Sequence, residues 1–148
     1  MTISQKTYYN LLRKKPGDSS NLGIIDGLLA VLNEASFIFR CRIKDEIEGD
    51  YIVKRKLIQI VFFYKEAIRF GQRFIAGKML VVDSTCNTNK LRMPLLIGVG
   101  ITNSNKTFPL AYSYCPGETA ESYDFFFEVL GEEVFFDDIL NPIIIIGD

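Results

Sequence analysis

Asp83 and Asp148 each close a run of apolar residues, Met79-Leu80-Val81-Val82-Asp83 and Ile143-Ile144-Ile145-Ile146-Gly147-Asp148. Short apolar runs that end in a polar residue read as buried strands. If these two strands are parallel neighbours, both carboxylates emerge at one end of one sheet, where open α/β sheets bind ligands. Two carboxylates held close repel each other, which raises one pKa unless a cation lies between them. Mg2+ suits such a setting, because it takes carboxylate, water and phosphate oxygens. The chemistry open to it is metal-assisted attack of a water or a 3′-hydroxyl on a phosphodiester. For either aspartate alone, the plainer reading is an acid that ends a strand and meets solvent. The pairing of the two makes the case for chemistry.

Composition narrows the alternatives. The 148 residues include no histidine and three cysteines, Cys41, Cys86 and Cys115, with no C-x-x-C pair. Ser-His-Asp and Cys-His catalysis are excluded, and a zinc site has no ligand pattern to stand on. The cysteines read as small hydrophobes in a reducing compartment. Lys and Arg total 17 and Asp and Glu 18, a net charge of -1, so DNA contact would need a local basic patch. With 48% hydrophobic and 24% charged residues the chain is expected to be globular. Residues 1–16 are polar and basic without an apolar core, so no signal peptide is expected. No apolar run is long enough to span a bilayer. An intracellular protein is expected, nuclear if the source is eukaryotic, with no membrane partner.

The elements that must position the two acids follow from pattern. A short basic-ended helix is expected within residues 3–15, then a loop at Pro16-Gly17-Asp18. Ile24, Ile25, Leu28, Leu29 and Leu32 predict an amphipathic helix over 21–35, with Asn21 as a cap. Ser36–Ile43 and Tyr51–Tyr64 read as a hairpin, with Asp45–Asp50 as its acidic turn. Helical spacing returns over Lys65–Phe74. From residue 79 the order is β-β-β-α-β. Strands at Met79–Asp83, Leu95–Thr102 and Thr107–Tyr114 form an antiparallel meander. A helix capped by Thr119 follows, with Tyr123, Phe126, Phe127 and Leu130 on its buried face. The last strand, over 143–148, is expected to be apolar on both faces and parallel to the first, reached by a right-handed crossover.

Those motifs, taken in order, resemble the Mutator-like element (MULE) transposase domain. The resemblance rests on Asp83, Ser84-Thr85, Thr88-Asn89 and Pro94-Leu95. It continues through Phe108-Pro109-Leu110-Ala111, Glu118-Thr119-Ala120-Glu121-Ser122 and Ile144-Ile145-Ile146-Gly147-Asp148. It is close over 79–148 and looser over 1–78. Cys86 stands where the family has an aromatic, and Gly147 where it has Thr or Ser. The resemblance implies an α/β, ribonuclease H-like mixed sheet, incomplete as β-β-β-α-β. Residues 79–148 are then a partial catalytic domain, and 1–78 a small α+β region of helices and a hairpin leading into it. It implies cut-and-paste DNA transposition by a DDE triad with Mg2+ or Mn2+. Asp83 is then the first acid and Asp148 the second, each a catalytic residue and metal ligand.

The third acid, a Glu on a later helix, has no counterpart, so the chain is expected to be C-terminally truncated. As a polynucleotidyl transferase it is expected to be inactive alone, with weak metal binding. DNA, in the form of transposon ends, is the expected partner, and an exposed sheet edge is expected to promote self-association. Two other classes stay open: a recruited non-catalytic DNA- or protein-binding domain, and a decayed fragment.

Several residues admit two roles. Glu118 and Glu121 complement the dipole of the helix they open, or add a metal ligand. Thr85, Thr88 and Asn89 order the loop after the first strand, or touch DNA phosphates. Lys54-Arg55-Lys56 is a solvated strand edge, or a backbone contact for DNA. The aromatic clusters at 62–64 and 125–127 read as core.

Overall fold

The structure, a computed structural model, describes residues 2–4, 22–86, 88–89, 92–136 and 141–147. Asp148, the cap residue Asn21 and most of the helix expected in 3–15 lie outside the described residues. Among the described residues seven strands form one mixed sheet, joined by three helices. The strands are β1 (Thr2–Ser4), β2 (Phe37–Glu48), β3 (Tyr51–Tyr64), β4 (Met79–Thr85), β5 (Leu95–Ile101), β6 (Thr107–Tyr114) and β7 (Ile144–Gly147). The helices are α1 (Leu22–Glu34), α2 (Ala67–Phe74) and α3 (Ala120–Glu133). The order across the sheet is β1-β2-β3-β6-β5-β4-β7.

Alternation of side chains builds the core. In β4, Leu80 and Val82 are buried while Met79 and Val81 turn to the opposite face, the period of two expected of a strand. Leu80, Val82 and Leu96 pack under α3 with Phe125, Phe126, Val129 and Leu130. The α2 helix lies on the same side, where Gly71 comes close to Leu110 and Val134. On the other face, α1 sets Leu29 and Leu32 against Phe39, Cys41, Ile43 and Ile60 of the hairpin. Full burial of one such side chain is worth about 1.5–3 kcal/mol, so these two clusters hold the layers together.

From β4 onward the order is as expected. The meander β4-β5-β6 is antiparallel, and α3 crosses over to β7, which runs parallel to β4. This is the ribonuclease H-like mixed sheet. Outside it, β3 pairs antiparallel with β6 through Ile60↔Tyr114, Val61↔Ser113 and Phe62↔Tyr112, so the sheet continues unbroken into the hairpin.

Three expectations are corrected. Residues 3–4 are strand, since β1 pairs with β2 from Thr2↔Arg42 to Ser4↔Arg40. The acidic stretch 45–48 is also strand, and the hairpin turns at Gly49-Asp50, where Gly49 takes φ +62. Its backbone register sets Asp45 opposite residue 55 and Glu46 opposite residue 54. Finally, β7 is not buried on both faces. All four of its residues are exposed, and Ile144, Ile145 and Ile146 each keep about half their surface in solvent.

Candidate active site at the exit of β4

Asp83 sits near the C-terminal end of β4, one residue past the buried Val82, and is exposed. Strand alternation puts it on the face of Met79 and Val81, away from α3. The β5 partner of Asp83 is Ile97, whose own partner on β6 is Tyr112. On its other side β4 meets β7 in parallel register, Met79↔Ile144, Leu80↔Ile145, Val81↔Ile146 and Val82↔Gly147. Gly147 is suited to this place, because a Cβ there would stand 3.3 Å from the Val82 carbonyl oxygen. Two further hydrogen bonds steer the chain into this ladder: the amides of Ile143 and Ile144 both donate to the Lys78 carbonyl, at 2.9 and 3.0 Å.

The loop after β4 is ordered by its own side chains. Asn89 Nδ2 donates to the Met93 carbonyl at 2.6 Å, and the Met93 amide donates back to Asn89 Oδ1 at 3.2 Å. That double clip fits a turn in which Arg92 adopts φ +55, a region Arg enters rarely. Asn89 therefore takes the loop-ordering role.

On the α3 side, Ser84 Oγ donates to Glu118 Oε1, and the Cys86 thiol donates to the same oxygen at 3.4 Å. These hydrogen bonds, Ser84 first and then Cys86, hold the Glu118 carboxyl below the usual range. In turn Glu118 raises the Cys86 thiol, by accepting its hydrogen bond and by like-charge repulsion of the thiolate. Cys86 is exposed, unlike Cys41 and Cys115, so it does not act as a core hydrophobe.

The first turn of α3 is anchored from several directions. Thr119 caps it by accepting from the Ser122 amide. Buried Gln59 donates through Nε2 to the Ser122 carbonyl at 2.9 Å and to Ser113 Oγ at 3.1 Å. Arg42 donates to Gln59 Oε1 and to Glu121 Oε1, both at 2.6 Å, and stacks over the Phe125 ring. Glu121 thus pairs with a hairpin arginine as well as sitting at the helix start. Neither Gln59 nor Arg42 stood out in the sequence. The signal was a polar residue at position 59 inside the apolar run Leu57–Phe63.

Among the described residues no group of three His, Cys, Asp or Glu could hold a metal ion. Asp83 is the acid the structure places at the β4 exit, and its expected companion, Asp148, lies outside the described residues. Among the described residues no helix is long and apolar enough to cross a membrane.

No curated protein and no solved structure matches the chain. The MULE transposase domain model matches residues 79–148, the segment running from the first residue of β4 through the residue that follows β7. The transposase character inferred from Asp83, the Thr88-Asn89 loop, the 118–122 helix start and the strand order thus has an independent match, and residues 79–148 of this chain are similar to the MULE transposase domain.

Proposed function

We propose that Asp83 and Asp148 are the first two acids of a DDE-type site that holds Mg2+ or Mn2+ for phosphodiester chemistry on DNA. The β4–β7 ladder carries this reading. Its last pair is Val82↔Gly147, one residue short of each aspartate. One further step in the same register would set the two carboxylates side by side on the face of Val81 and Ile146. Neighbouring strands lie about 4.8 Å apart, within reach of a shared cation. The donor set fits a hard divalent ion, being carboxylate oxygen with no competing His or thiolate pair. A bound ion would supply charge neutralisation on phosphate and a more acidic water or 3′-hydroxyl. The residues of this chain bind and orient it. DNA is the substrate class, which would put the working protein in the nucleus if its source is eukaryotic.

The direct test is Mn2+ titration of the purified chain by electron paramagnetic resonance, with Asp83→Asn and Asp148→Asn beside it. Each variant should remove the bound Mn2+. Equal binding by all three proteins would sink the pairing. Metal-dependent nicking of DNA by the wild-type chain, lost in Asp83→Asn, would support the reading at the level of the reaction. DNA binding that ignores both metal and Asp83 would favour a recruited, non-catalytic domain.

A further inference from the structure

Ser84 and Cys86 follow the candidate acid Asp83 almost directly, and both donate to Glu118, which stands just before the Thr119 cap of α3. The helix start is itself held by Gln59 and Arg42 from the hairpin. Glu118 therefore reaches the β4 exit from an immobilised base. Strand alternation places Ser84 on the α3 face with Leu80 and Val82, and Asp83 on the opposite face. A grip on Ser84 restrains the backbone on one side of the sheet and leaves the Asp83 carboxylate open on the other.

We propose that Glu118 is a positioning residue for Asp83, clasping the β4 exit through Ser84 and Cys86 so that the carboxylate is presented at one fixed place. This rests on the reading of Asp83 as a cation ligand. Glu118 acts through the strand and is not itself a ligand, because it engages the face of β4 that Asp83 does not share. Partners that orient a ligand in this way are commonly worth about tenfold or more in metal affinity.

The experiment has a metal-free arm and a metal arm, on the full 148-residue chain. In the first, amide hydrogen exchange is followed at residues 84–86. In the second, Mn2+ affinity is measured. Glu118→Ala should speed exchange at these amides and weaken Mn2+ binding about tenfold, with the thermal midpoint unchanged because the side chain is exposed. Ser84→Ala should reproduce both effects, and the double variant should add little. Glu118→Gln keeps an oxygen that accepts from Ser84, so it should restore most of the affinity. Unchanged exchange in Glu118→Ala would overturn the clasp. Loss of Mn2+ in Glu118→Gln as complete as in Asp83→Asn would make Glu118 a ligand and overturn the positioning role. Failure of the wild-type chain to bind Mn2+ would remove the cation reading alone, and the exchange arm would still decide the clasp.

Discussion

Gln59 and Ser122 meet 63 positions apart in the chain, the amide nitrogen of one donating to the backbone carbonyl of the other inside the protein. Through this contact the hairpin strand β3 reaches beneath α3 and fastens its first turn. Gln59 has no solvent exposure, and its oxygen is used as well, by Arg42.

Replacing Gln59 with Leu would take the side-chain donor from the Ser122 carbonyl and leave the Ser113 hydroxyl and part of the Arg42 guanidinium without this partner. Each unmet buried group costs about 1–3 kcal/mol, so a loss of about 3 kcal/mol in unfolding free energy is expected. Urea denaturation reads it as a lower midpoint at unchanged slope. A loss below about 1 kcal/mol would mean that water takes over these bonds.

Gly100 is a packing test of β5. A Cβ there would meet the ring of Phe108 and stand 2.6 Å from Ile75 Cδ1. Gly100→Ala is therefore expected to destabilise the fold by about 1–3 kcal/mol through overpacking. Pairing it with Ile75→Val, which trims the opposing side chain, should recover part of the loss. Failure of any recovery would place the strain on Phe108 instead.

The Cys86 thiol offers a pH-dependent readout. Its pKa is raised by the Glu118 hydrogen bond and charge, so at a given mildly alkaline pH less of it is thiolate than in an ordinary cysteine. Removing the charge in Glu118→Gln lowers the pKa, and alkylation by iodoacetamide near pH 8 should become a few-fold faster. Cys41 and Cys115 are buried and should stay slow in the native protein. Equal rates in the two proteins would show that Glu118 does not govern the thiol.

Exposed isoleucines at the sheet edge make a case for association. Ile143 keeps 77% of its surface in solvent, and Ile144 and Ile146 about half. An apolar strand at an open edge is a template for pairing with another chain. Sedimentation of the 148-residue polypeptide is expected to show concentration-dependent self-association, reduced by Ile144→Thr with Ile146→Lys. A clean monomer at all concentrations would contradict this.

Strong local pattern made much of this fold legible. β3 spans the residues expected of it, 51–64, because its apolar run is long and bounded by turns. Thr119 caps α3 as its residue type suggested. Asp83 was visible because an apolar run ends in an acid, although β4 itself continues to Thr85. What depended on distant partners was hidden. The acidic stretch at 45–48 looked like a turn, but its backbone pairs with β3 as strand. Thr2–Ser4 is strand only because β2 lies beside it. Glu118 drew notice as a helix-start acid, but its tie to Ser84 spans 34 positions and leaves no local trace. The apolar run at 143–146 suggested burial, whereas residue type fixes only what a strand would tolerate on its faces, not what covers them.

The thin cover of β7 has an energetic consequence. Among the described residues β7 pairs with β4 alone, and beneath Ile145 lies a cavity of about 140 Å³ lined by Leu80, Phe127, Leu130 and Phe135. Little dispersion energy is gained there, so fraying should begin at this segment. A divalent ion bridging its tip to Asp83 would act as a rivet, and by reciprocity anything that docked the segment more firmly would tighten the hold on the ion.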